Sequence, residues 1–107
     1  MKIFEKTVNS RRRQSMEDKI REEIRFYGRV QAVGFRYKMY HLAEKYGVTG
    51  WVQNEYDGSV LAQAQGTQAQ IDMVLQALSS DRYIVIDELR RRRIPLEEEE
   101  RRFGIRH

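Results

Sequence analysis

The sequence predicts an α+β fold in which an antiparallel sheet carries two helices on one face. Three observations predict it. Apolar and polar residues alternate in short runs, at Ile24-Arg25-Phe26-Tyr27 and on both sides of Asp57-Gly58, as in strands with one face on a core. Two longer stretches switch to helical spacing: Phe35, Met39, Leu42, Ala43 and Tyr46 share one stripe, and Ile71, Val74, Leu75 and Leu78 share another. The order of the two patterns along the chain, β-α-β-β-α-β with a short added strand, is that of a ferredoxin-like split β-α-β sandwich.

Each element has its own local justification. The first strand becomes regular from Ile20 and delivers the chain into Gly28. Gly47 stops the first helix, because a residue without a Cβ can close a helix in the left-handed conformation. Thr49–Gln53 and Ser59–Gln65 are predicted strands joined around Asp57-Gly58, a strong hairpin signal, so Asn54-Glu55-Tyr56-Asp57-Gly58 forms a loop at the end of the second strand. Thr67 and Gln70 supply a capping box for the second helix. Tyr83–Leu89 is β-rich; Arg90–Arg93, Pro95, four glutamates and the strand Phe103–Arg106 follow. The arginines are expected to run along a strand edge and to pair across strands with Glu97–Glu100, not to form an anion site. The right-handed crossover rule puts the first and third strands side by side in the middle of the sheet.

A chain of 107 residues is long enough for one domain with a modest core. It has no cysteine, which removes disulfide frameworks and thiolate metal sites and fits a reducing compartment. Its apolar runs are too short for a membrane span or a secretory leader, so the expected location is cytoplasmic. The net charge of +4 is confined to one end: residues 1–21 hold seven basic and three acidic residues, and the rest is balanced. Residues 1–18 are therefore expected to form a flexible basic extension ahead of a domain at 19–107, solvated and not a nucleic-acid or membrane arm, with Met16 a candidate alternative start.

The functional centre is expected at Gly28-Arg29-Val30-Gln31-Ala32-Val33-Gly34-Phe35-Arg36, where strand gives way to helix through a glycine-bounded turn. A helix N-terminus carries N–H groups without intrahelical partners and a partial positive charge, so such a turn can cradle an anion with main-chain donors. Arg36 adds a planar fork able to bind two phosphate oxygens. Its place in the first helical turn opposes the helix dipole, which points to a ligand that offsets the cost. By itself the pattern fits a tight turn with a surface arginine better.

The following segment makes it specific. Gly28-x-Val30-Gln31-x-Val33-x-Phe35-Arg36, then Gly47-Val48-x-Gly50-Trp51-Val52-x-Asn54 and Asp57-Gly58-x-Val60, resembles both signature motifs of the acylphosphatases, and Phe103-Gly104-Ile105-Arg106 resembles that family's closing strand. The resemblance covers the chain from about Ile24 to its end. It implies hydrolysis of the carboxyl–phosphate bond of small acyl phosphates, without metal or cofactor, with inorganic phosphate as product and competitor. It also implies roles: the main chain of Val30, Gln31, Ala32, Val33, Gly34 and Phe35 cradles the phosphate, Arg36 anchors it, and Asn54 orients the attacking water. The two loops meet if the first helix packs back to bring Trp51 and Val52 beside the first strand.

Two residues depart from the family pattern. Ala32 stands where acylphosphatases usually have glycine; if the position needs positive φ, its Cβ costs about 1 kcal/mol or more and tilts the amides. Glu55 follows Asn54 directly and would oppose phosphate if its carboxylate turned inward. The runner-up function is accordingly a catalytically silent acylphosphatase-like module that binds carbamoyl phosphate or a partner. An RNA-binding domain of the same topology ranks below it, because Val60-Leu61-Ala62-Gln63-Ala64 offers no aromatic stacking platform. Phe35, Trp51 and Val52 are expected in the core, Tyr27 and Tyr37 at the surface or the rim of a pocket, and His41 at a helix edge two turns from the phosphate end. A monomer is expected, with no membrane or nucleic-acid partner.

Overall fold

The computed structural model describes residues 18–107; the basic extension and Met16 lie outside them, save for Asp18. Five strands and two helices follow in the order β1 Lys19–Arg29, α1 Phe35–Tyr46, β2 Thr49–Asn54, β3 Val60–Thr67, α2 Gln68–Ser79, β4 Val85–Ile94 and β5 Phe103–Arg106. They form one sheet in the order β4-β1-β3-β2-β5, with β1 and β3 adjacent in the middle as the crossover rule requires. The two helices pack on a single face of this sheet.

Strand alternation decides what lies between the layers. Ile20, Ile24 and Phe26 of β1, Val52 of β2, Val60, Ala62 and Ala64 of β3 and Phe103 of β5 are buried against Phe35, Met39 and Ala43 of α1 and Ile71, Val74, Leu75 and Leu78 of α2. Phe26 and Phe35 meet edge to face with ring centres 4.7 Å apart, fixing the start of α1 over the end of β1. The Thr67–Gln70 capping box forms in both directions, and Gly47 caps α1 at φ 74°.

The structure alters several local expectations. Trp51 is not in the core: its neighbours Gly50 and Val52 are buried, and alternation turns the indole to the helix-free face, where Arg106 stacks on it at 4.0 Å. Nor does β2 lie beside β1, because β3 separates them. Strand β4 extends through all four arginines, and those that form ion pairs do so elsewhere than with Glu97–Glu100: Arg92 meets Glu23 of β1 at 2.8 Å, Arg91 bridges Glu22 of β1 at 2.7 Å and Asp72 of α2 at 2.9 Å, and Arg90 meets Glu88 of its own strand at 2.6 Å. Partial burial pushes the Glu23 carboxyl up, but the hydrogen bonds from Arg92 and Gln63 and the charges of Arg92 and Arg25 together outweigh it and hold the carboxyl below its usual range.

The added strand, β5, runs parallel to β2 in an otherwise antiparallel sheet. The connection explains why. Residues 95–102 cross from one sheet edge to the other at the end where β1 and β2 begin, so β5 must start at that end too. The crossing is strapped to the helix-free face by Arg21, which is only 2% exposed. Its guanidinium grips Glu100 at 2.7 and 3.1 Å and donates to Gln63 at 2.9 and 3.1 Å, while Gln65 exchanges bonds of 2.9 and 2.8 Å with the main chain of Glu97. Replacing Glu100 with glutamine is expected to cost about 2 kcal/mol, the scale of a hydrogen bond to a charged group, read as a lowered urea midpoint with unchanged m-value.

Candidate active site

The strap matters because it carries the end of β5 to the place where β1 and β2 end. There the loop 30–34, the start of α1, Asn54 and residues 105–107 enclose a cleft of about 250 Å³. Val30, Ala32, Gly34, Phe35 and Arg36 line it, with Asn54 and Ile105.

The backbone conformation of the loop is the first feature with chemical content. Ala32 at φ 61° and Gly34 at φ 78° are left-handed, while Gln31 and Val33 between and before them are not. Alternating hands turn successive N–H groups toward one side, the concave arrangement that holds anions. Among the described residues no main-chain carbonyl accepts from the N–H of Gln31, Ala32, Val33 or Gly34, and the first helical bond closes only at Lys38 N–H to Gly34 O, 2.9 Å. Ala32 thus meets the condition raised for it above, a positive φ that its Cβ makes costly. Gly28, by contrast, does not bound this turn: β1 continues through Arg29, and Gly28 sits at a bulge against β4 where a Cβ would fall 2.2 Å from Val85 O.

Arg36 lies in the first turn of α1, which has no acidic residue. Its guanidinium donates to Arg106 O at 3.3 Å and lies 3.4 Å from His107 Nδ1; among the described residues no carboxylate pairs with it. The fork is oriented by the β5 end, and its charge is left for something else. Asn54 closes β2, exposed at the same cleft. A carboxamide there can donate to one oxygen and accept from another at neutral charge.

Glu55 turns away. Its carboxylate accepts from Arg25 at 3.2 Å and from Gln53 at 2.7 Å, on the helix-free face of the sheet, so it does not face the loop. His41 is exposed on α1, as expected, and Tyr37 stands at the cleft rim.

The side chain of Gln31 has a part the motif alone did not disclose. Its Nε2 donates to both Glu55 O and Ser59 O at 2.8 Å, tying the left-handed loop to the neck of the hairpin that carries Asn54. That neck is closed by Glu55 N–H to Ser59 O at 2.8 Å and by Ser59, whose N–H and hydroxyl both donate to Asp57 Oδ1 at 2.9 and 2.6 Å. These bonds from Ser59 hold the Asp57 carboxyl below its usual range. The sequence signal was an amide side chain beside orphan donors; its partners are too distant in sequence to infer.

Fold and cleft define a two-layer α+β sandwich with free main-chain donors, one uncompensated arginine and one carboxamide gathered at the ends of three strands. The profile of the acylphosphatase family matches residues 22–105, and the chain belongs to that family, whose enzymes hydrolyse acyl phosphates. It is 35% identical to the acylphosphatase of Clostridium acetobutylicum over 77% of this chain and 91% of that one. With the acylphosphatase of Thermococcus kodakarensis it shares 44% identity over 53% of this chain, spanning 63% of that relative's length. The crystal structure of acylphosphatase from Bacillus subtilis superposes with a TM-score of 0.76 at 29% identity, covering 82% of this chain and 99% of that one.

Proposed function

We propose that this protein hydrolyses the carboxyl–phosphate bond of small acyl phosphates in this cleft. The observation that carries the reading is the meeting of unpartnered loop amides, Arg36 and Asn54 in one cavity of substrate size. The amides of residues 30–35 and the Arg36 fork bind the phosphoryl oxygens and stabilise the charge they gather as the bond breaks. Asn54 holds a water in line. The water oxygen bonds to phosphorus, the acyl C–O–P bond breaks at phosphorus, and the carboxylate leaves with the electron pair. A neutral amide is too weak a base to take the water's proton, so a phosphoryl oxygen takes it, and inorganic phosphate results. A carboxylate is a good leaving group, so positioning and charge stabilisation supply what the reaction needs.

Wild-type protein in chelator-treated buffer should hydrolyse benzoyl phosphate well above the buffer rate, with inorganic phosphate competing. A rate equal to buffer would remove the proposal. Ala32→Gly is expected to turn over as fast or faster. A left-handed alanine costs about 1–2 kcal/mol, of which glycine's greater unfolded-state freedom takes back about 0.4–1 kcal/mol. The net gain, about 0.5–1 kcal/mol, is read from the urea midpoint.

No helix of the described residues is long and apolar enough to cross a membrane. We place the protein in the cytoplasm as a monomer, with residues 19–107 as its catalytic domain. Strand β4 is a sheet edge, and the charges of Arg90–Arg93 along it discourage pairing with a second copy.

A further inference from the structure

We infer that Tyr37 selects the acyl group, favouring flat apolar acyl phosphates, aromatic ones above all, over small aliphatic ones. The inference rests on the function proposed above. If loop amides and Arg36 take the phosphate and Asn54 takes the water, the in-line geometry sends the leaving carboxylate away from Asn54. Of the cleft's lining residues, Tyr37, Ile105 and His107 carry the large side chains that neither phosphate nor water engages. Ile105 is half-buried and packs against the core, so it is a fixed apolar surface. Tyr37 follows Arg36 directly but is 65% exposed, a large ring standing at the cleft mouth with no core to fill.

That ring is braced. His41, one helical turn on, meets it edge to face with centres 4.5 Å apart at 83°, and Tyr40 supports the same imidazole at 5.2 Å. A ring held in place meets a ligand at small entropic cost, and offset or edge contacts between rings contribute beyond simple burial. None of the nine lining residues is acidic, and Arg36 is already engaged by phosphate. The wall therefore grips by contact and shape.

The test compares benzoyl phosphate with acetyl phosphate as the ratio of their kcat/KM values in wild type, Tyr37→Ala and Tyr37→Phe. Intrinsic reactivity of the two substrates cancels when the ratio is compared between variants. In Tyr37→Ala the ratio should fall about fivefold, the scale of one aromatic contact, with the change in KM for benzoyl phosphate and little change for acetyl phosphate. Tyr37→Phe should restore the wild-type ratio, since the ring and not the hydroxyl makes the contact. An unchanged ratio in Tyr37→Ala with both substrates still turned over would overturn the selector role and leave the hydrolase standing. Failure of wild type to hydrolyse either substrate would overturn both.

Discussion

Arg36→Ala should lower kcat/KM for benzoyl phosphate by about a thousandfold, the upper range for removing one preorganised donor at a charged transition state, and should abolish competition by inorganic phosphate. The guanidinium is the one permanent cation among the cleft's lining residues, and it sits at a helix start with no acid nearby to account for it. Its structural bonds are slight: one of 3.3 Å to Arg106 O and a contact of 3.4 Å with His107. Removing a positive charge from a helix N-terminus is favourable by about 0.3–1 kcal/mol, so the variant should melt at or slightly above the wild-type temperature. Loss of activity without loss of fold separates a ligand-binding role from a surface ion-pairing one. Arg36→Lys keeps the charge but not the fork, and should recover only part of the rate.

Asn54→Ala should lower kcat about a hundredfold or more while leaving inhibition by phosphate nearly unchanged. The loop amides and Arg36 are intact in this variant, so the anion still binds; what is lost is the group that aligns water. The split between kcat and phosphate affinity distinguishes Asn54 from Arg36, for which both fall together. Asn54 is exposed at the end of β2, and the hairpin behind it is held by Gln31, Ser59 and Asp57, so stability should change little. A parallel fall in phosphate affinity would move Asn54 from water orientation to anion binding.

Much of this architecture was legible where local chemistry decides conformation. The Thr67–Gln70 capping box, the Gly47 stop and the Asp57-Gly58 turn each rest on contacts within a few residues, and all appear where expected. The stripe of α1 was read correctly because its period is helical over three turns. Positive φ at Ala32 was raised only as a condition by its place in the motif, and the folded chain meets it at φ 61°.

What escaped the sequence depends on register and long-range pairing. Trp51 read as core by residue type, yet its face is set by the burial of Gly50 and Val52 on either side. Strand β4 seemed to end at Leu89 because four consecutive arginines hide any alternation; its partners Glu22 and Glu23 lie some seventy residues earlier, in β1. Of the nearer acids, Glu100 pairs instead with the buried Arg21, whose burial on a helix-free sheet face no composition rule foretells, and Glu97 bonds Gln65 through its main chain. Gln31 belonged to the motif, but only the folded chain shows its amide bridging two loops. Glu55 read as a threat to phosphate until Arg25 and Gln53 were found to hold its carboxylate elsewhere.

The central claim is that the left-handed loop, Arg36 and Asn54 form one phosphate-binding, water-orienting site. A crystal structure of the wild-type protein soaked in inorganic phosphate tests it most directly. The account predicts a phosphate within hydrogen-bond distance of the N–H groups of residues 31–35 and gripped by Arg36, with Asn54 facing it across a water. Phosphate bound instead along Arg90–Arg92, or a loop left empty with Arg36 and Asn54 turned apart, would contradict it.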